Sequence, residues 1–422
     1  MRILLFLILQ LFITGWGNVQ SVNQAVANDW PNWHGPDHNG ISKETDWQNN
    51  WPKDGPKILW RASVGTGFSS IAVSGGRIYT MGNTGKKGDK KEKEHKDVVY
   101  CLNTITGREI WRYEYACRLD PQHYEGGPSA TPTVDGKLVY TLSKEGHVFC
   151  LDAVKGELVW HNHMVVKLGI EKPRWGFSGS PLVTDNLLIL NAGTFGSALN
   201  KHNGKVIWQN GKEATGYATP VHFKMGDQDC VAIFGSKAMY GVRVEDGKQL
   251  WQFPWKTRYD ENIPDPIIID TPSVPHSLEI FITSGIGTGC ARVKLQQNGS
   301  IRQIWRNKSM CCHLNSPILW QDYLYGFDES KFKCVDYQDG REKWVENGLG
   351  KGSLMMTSDG RMIILSEKGK LIIAIATAEK YHPIAQSRIL KGKCWTVPVL
   401  SGGRIYARSA RGDLVCVDVS GK

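Results

Sequence analysis

Cys311 and Cys312, adjacent in sequence, are the pair in this chain whose types and spacing best suit chemistry. In an oxidising compartment two neighbouring thiols can close a strained eight-membered disulfide ring. Free thiols, or a disulfide from the pair to Cys394, are the alternatives. His313 and Asn315 follow directly, and Trp175, Tyr217 and Trp395 stand at similar points elsewhere, just ahead of short β-favouring runs. Gathered together, they would make an aromatic-lined depression with polar tips, a reasonable ligand pocket. Structural packing of the tryptophans is the competing reading. Asp260, Asp265 and Asp328 are candidate acids, but no spacing joins them. WHGPDHNG holds His34, Asp37 and His38, yet their spacing matches no standard metal-ligand set, so a Pro-Gly loop is expected. There is no Gly-rich phosphate loop, nucleophile elbow, HExxH or CxxC.

The elements that must position these residues repeat. Ser129–Trp160 holds four short apolar runs separated by Asp135-Gly136, Glu145-Gly146 and Lys155-Gly156. Gly in such pairs accepts the positive φ of tight hairpin turns, so the unit is a four-stranded antiparallel meander. Its later half recurs as YCLNTITGREIW, FCLDAVKGELVW, SALNKHNGKVIW, YGVRVEDGKQLW, CARVKLQQNGSIRQIW and KCVDYQDGREKW. These end at Trp111, Trp160, Trp208, Trp251, Trp305 and Trp344; a worn copy near Leu371–Leu390 has lost its Trp, and VCVDVSGK stops short. First strands recur too, as in SATPTV, SGSPLV, YATPV, DTPSV (from Asp270), NSPIL and WTVPVL. Eight units of about 40–55 residues predict an all-β, eight-bladed β-propeller. KILWRASV (Lys57–Val64), with its own Trp60, is expected to supply the strand missing from the last unit and so close the ring. Proline near the start of six first strands, Pro272 among them, suits a strand edge that faces a central channel.

The [AC]-[LV]-[DN]-x-x-x-G-x-x-x-W repeat resembles the pyrroloquinoline-quinone-type (PQQ-like) propeller family over nearly the whole chain from Trp30. The resemblance implies that Trp60, Trp111, Trp160, Trp208, Trp251, Trp305 and Trp344 dock each blade on the next. It covers both quinoprotein alcohol dehydrogenases and a non-catalytic propeller of outer-membrane assembly. For the first branch it implies PQQ with Ca²⁺, a vicinal disulfide at Cys311-Cys312 stacked on the quinone, and oxidation of an alcohol or sugar. That branch carries its cysteine pair early in the ring, whereas here the pair precedes the sixth unit. For the second it implies a scaffold that binds a protein or small ligand through its loop face. A structural role in an envelope complex is a third expectation.

The long loops of that face are expected at Tyr115–Gly127 (with Cys117, His123 and Glu125), Met164–Phe177, Phe253–Ile269, Ser309–Asn315 and Lys391–Trp395. Cys101, Cys150, Cys334 and Cys416 share one third-strand position and are expected to be core residues, with Cys290 grouped beside them. Residues 1–27 resemble a secretory signal: Arg2, an apolar run, then Ala25-Val26-Ala27. Residues 28–56, with four Trp, are expected to form an irregular arm laid on the surface, and 57–422 the propeller. The net charge of +10 falls by one when Arg2 leaves. An exported monomer is expected, without nucleic-acid partners and without a membrane span once the signal is cleaved.

Overall fold

A computed structural model describes residues 28–89, 94–122, 124–270, 278–296 and 299–421. The proposed signal, His123 and part of the lysine-rich loop after Asn83 lie outside the described residues. Eight antiparallel sheets follow one another along the chain. Blade 2 shows the plan, with strands Thr133–Asp135, Leu138–Leu142, His147–Asp152 and Leu158–His163. The last sheet is Val399–Ser401, Arg404–Arg408 and Asp413–Asp418, and its fourth strand is the N-terminal Ile58–Ser63. The ring therefore closes as the repeat predicted. Buried Arg408 pins the closure, donating to the carbonyls of Ser69, Met81 and Gly65 in the first-blade region.

Strand register explains the repeat. Cys150 lies opposite Trp160, Cys101 opposite Trp111, Cys334 opposite Trp344 and Cys416 opposite Trp60, with a bulge beside each. A small residue there leaves room for the indole. In blade 5 it is Arg292 that faces Trp305, so Cys290 does not share this position; it pairs with Asn307. The inserted residues of that copy had blurred the alignment.

The indoles reach across blades. Trp60, Trp111, Trp160, Trp208, Trp305 and Trp344 donate to the carbonyls of Thr104, Ala153, Lys201, Val244, Tyr337 and Thr377 in the following blade, at 2.8–3.1 Å. Gly156 (φ 74°) shows why glycine precedes each such turn: a Cβ there would meet the Trp111 ring at 2.5 Å. Trp251 is buried, and among the described residues its indole N–H has no partner.

Two expectations change. The inner strand of blade 5 is Ile267–Asp270, so its leading proline is Pro266; DTPSV starts only at the last residue of that strand, and Pro272 lies outside the described residues. The N-terminal arm is not laid on the surface. Trp30 and Trp47 are each 3% exposed within the cluster shared by blades 7, 8 and 1. Trp30 bridges Val73 in blade 1, and Ile41–Ser42 adds a parallel fifth strand inside blade 7. Burying that much indole is worth more than exposing it, and the inner strand edges offer the free backbone partners.

Candidate functional site

On the face where each blade hands the chain to the next, a cavity of about 570 Å³ opens over the channel. Each blade contributes from the segment just ahead of its inner strand: Phe68, Tyr124, Trp175, Tyr217, Glu261, His313 with Asn315, Lys351 and Trp395, in ring order. Loops of differing sequence thus converge on one point because the strands that follow them are equivalent.

The cup is polarised. Blades 8, 1, 2, 3 and 4 supply an aromatic half. Phe68 stacks on Trp395 at 5.4 Å, meets Tyr124 edge-on at 5.6 Å, and Tyr124 meets Trp175 at 6.0 Å. Arg174 lies over Trp175 and Lys393 over Trp395, at 5.0 and 4.2 Å. Blades 5, 6 and 7 supply a charged half. Trp175 Nε1 donates to Glu261 Oε1 at 2.7 Å; Glu261 Oε2 lies 3.4 Å from His313 Nε2; His313 Nδ1 lies 3.2 Å from Glu329 Oε2, which Lys351 Nζ approaches at 2.9 Å. Burial opposes charge on Glu329, but hydrogen bonds from His313, the Ile286 N–H and Lys351 outweigh it and hold the carboxyl down at about 2. Burial likewise works against protonated His313, yet its bonds to Glu261 and Glu329 raise its pKa. From Glu261 through His313 and Glu329 to Lys351, acidic and basic side chains alternate, and Lys351 Nζ also lies 3.0 Å from His313 Nδ1.

Beneath the rim a belt of hydrogen bonds runs along the channel from blade 1 to blade 6. The N–H of Ser70 donates to Thr131 Oγ1, that of Thr131 to Ser180 Oγ, and that of Ser180 to Thr219 Oγ1, at 2.9–3.1 Å. Thr219 N–H then donates to Asp265 Oδ1 at 2.7 Å, and Asp265 N–H to Ser316 Oγ at 2.8 Å. Asp265 is a carboxylate where its neighbours carry hydroxyls. Its second oxygen accepts from Trp33 Nε1 at 2.6 Å and lies 3.6 Å from His34 Nδ1. Burial, only partly offset by the Trp33 and Thr219 bonds, pushes its pKa up to about 7. Trp33 of the arm thereby floors the cup. On the arm's other side His34, Asp37 and His38 line a second cavity of about 380 Å³ with His222. Burial holds His34 neutral, its pKa down at about 3.

Of the predicted rim residues, Trp175, Tyr217, His313, Asn315 and Trp395 all line the cup. Cys311 and Cys312 do not, and this corrects their proposed place at the mouth. Cys312 is fully buried among Phe281, Met310, Leu324, Val335 and Tyr337, between blades 5 and 6. Its neighbour's thiol is pushed up to about 11 by burial and then by Asp328. Cys394 lies in the cluster of blades 7, 8 and 1, and all ten cysteines are unbridged. Asp265 joins the cup; Asp260 and Asp328 do not, and Asp328 is paired with Lys333 at 2.6 Å. Glu261, Glu329 and Lys351 had escaped sequence reading, because single charged residues in unrepeated loops carry no periodic signal.

A profile of the PQQ-like family described as outer membrane protein assembly factor BamB matches residues 95–346, more than half of the chain. The chain belongs to this family. Among solved structures it is similar to BamB from Moraxella catarrhalis (14% identity, TM-score 0.61), covering 86% of this chain and 99% of that one. It is also similar to the quinohemoprotein alcohol dehydrogenase of Comamonas testosteroni (12%, 0.68, 95% and 82%) and to a europium-containing methanol dehydrogenase (12%, 0.68, 92% and 91%). Such identities establish a shared fold. A comparison with curated proteins finds no match.

The quinone expectation can be set against the cup's own side chains. A planar quinone bearing several carboxylates needs free cations at its rim and a carboxylate set for its metal ion. Lys351 is taken by Glu329 and the cysteine pair is elsewhere, which leaves Arg174, over the Trp175 ring, as the cation of that wall. Among the described residues, no trio of His, Cys, Asp or Glu in the cup is arranged to hold a metal ion. This donor set does not fit PQQ with Ca²⁺.

Proposed function

We propose that this protein is a non-catalytic binding propeller of the cell envelope, exported by its first 27 residues, that seats a segment of a partner protein in the loop-face cup. The observation that carries this is the division of the cup into an aromatic half and a charged half, to which every blade contributes. A peptide segment has the matching chemistry: an apolar side chain for the Phe68–Trp175 wall, and backbone or charged groups for Glu261, His313 and Lys351. The family's description as an assembly factor supports the same reading.

The test is a comparison of the exported chain with a Trp175→Ala/Trp395→Ala variant, each immobilised and exposed to an envelope extract of the host. A defined partner retained by the first and lost by the second is expected. Equal retention by both would move the binding surface off the cup. In parallel, the exported chain is given PQQ and Ca²⁺ and assayed for dye reduction with a panel of alcohols and sugars; sustained turnover would replace the binding assignment with the dehydrogenase one.

A further inference from the structure

A second site lies on the outer rim of blade 2, away from the cup. His147 begins the third strand of that blade; His161 and His163 stand two residues apart on the fourth, with His163 paired in register to His147. Residues two apart on a strand share a face, so all three imidazoles project on the side toward blade 1. His147 Nδ1 and His161 Nε2 are 3.0 Å apart. The rings of His147 and His163 are 4.2 Å apart. Phe149 lies stacked under His161 at 4.5 Å, and Tyr115 of blade 1 sits 5.5 Å from His147.

The repeat makes this cluster conspicuous. Aligned on the tryptophan, the same three positions of blade 1 carry Val98, Arg112 and Glu114, so nothing in blade architecture calls for histidine. The acid that acts on His147 and His163, Glu145, is bound by Lys172 at 2.8 Å and Lys144 at 3.4 Å. Two imidazole nitrogens bound to one Zn²⁺ at ~2.0–2.1 Å, with bond angles near tetrahedral or square, lie about 2.9–3.4 Å apart. The His147–His161 spacing falls in that range.

We propose that His147 and His161 chelate a divalent transition metal ion of the imidazole-preferring kind (Zn²⁺, Ni²⁺ or Cu²⁺), with His163 as the third ligand. The ion takes the place of the proton shared between His147 Nδ1 and His161 Nε2, which moves to an outer ring nitrogen by a tautomer shift. The three rings do not yet converge on one point. His163 Nδ1 accepts a long hydrogen bond, 3.4 Å, from Val166 N–H at the start of the helix Met164–Leu168. Ligation requires His163 to give up that weak cap and swing inward, which a surface side chain can do by rotamer change. Burial lowers the pKa of all three imidazoles, and a neighbouring imidazole adds to this at His147 and His161; a neutral imidazole is the form that binds such a metal.

The untagged exported chain, stripped with chelator, is titrated with Ni²⁺ or Zn²⁺ in a calorimeter. One equivalent is expected to bind. His161→Ala and His147→Ala should each weaken binding by more than about tenfold, and His202→Ala, an exposed histidine of blade 3, should leave it unchanged. His161 is exposed, so its variant keeps the fold, which circular dichroism checks. An absence of stoichiometric binding by the wild-type chain, or binding by both variants at wild-type affinity, overturns the proposal.

Discussion

The seam between blades 2 and 3 and the seam between blades 7 and 8 do the same job by different means. At the first, Trp160 crosses to the Lys201 carbonyl at 2.8 Å, as the repeat prescribes. At the second, blade 7 has Ala385 where the tryptophan would stand, opposite Ile373. The arm compensates: Trp47 enters the cluster of blades 7, 8 and 1, and Arg361 covers its ring at 3.9 Å while donating to its carbonyl at 2.8 Å. A worn repeat thus survives where another part of the chain supplies the missing indole. The same arm brings Trp33 into the channel, so one segment both repairs the ring and floors the cup.

Substitutions at the two seams test that equivalence. Trp160→Ala and Trp47→Ala should each cost about 3–5 kcal/mol in denaturant unfolding, because both leave a large buried cavity. A loss below about 1 kcal/mol for Trp47→Ala, typical of surface positions, would return the arm to the surface and break the comparison.

The next effect lies where the arm meets the belt. The Asp265 carboxyl has a folded pKa of about 7 against an ordinary value of 3.8, so the folded state binds the proton more tightly. Its contribution to stability should rise as pH falls from about 7 toward 4 and be absent above that window. Asp265→Asn should remove this rise. Measured as the difference between the two proteins' unfolding free energies across pH 4–8, the change should be on the order of a few kcal/mol. A flat difference would mean that Asp265 ionises without cost.

Smaller still is the hydrogen-bond part of the tryptophan seam. Trp160→Phe loses its bond to Lys201 and should cost about 1 kcal/mol more than Trp251→Phe, whose indole N–H has no partner among the described residues. Equal losses in thermal unfolding would mean that the indole bonds contribute nothing beyond ring packing.

The ring was legible from sequence because it is periodic: Trp160 and Cys150 recur at fixed offsets, and Trp60 precedes the first unit as a spare fourth strand. The predicted rim residues were legible for the same reason, since Trp175, Tyr217, His313, Asn315 and Trp395 all stand just before an inner strand. What was missed is aperiodic. Glu329 braces His313 and Lys351 of the cup from the hairpin turn of blade 6, where a lone acid reads as a surface residue. Cys311-Cys312 had chemical promise, but Cys312 N–H bonds Thr283 Oγ1 at 3.1 Å and its side chain points into the seam. The arm's Trp47 lies more than 300 positions before the Arg361 that covers it, a pairing no local pattern encodes.

The assignment of binding to the cup is tested most directly by site-specific photo-crosslinking in the host envelope. A benzophenone amino acid is placed at Tyr259, a rim residue 40% exposed, and in a second protein at Ile384, equally exposed on the outer strand of blade 7. A discrete protein adduct is expected from the Tyr259 probe alone. An adduct from Ile384 with none from Tyr259 would contradict partner capture in the cup.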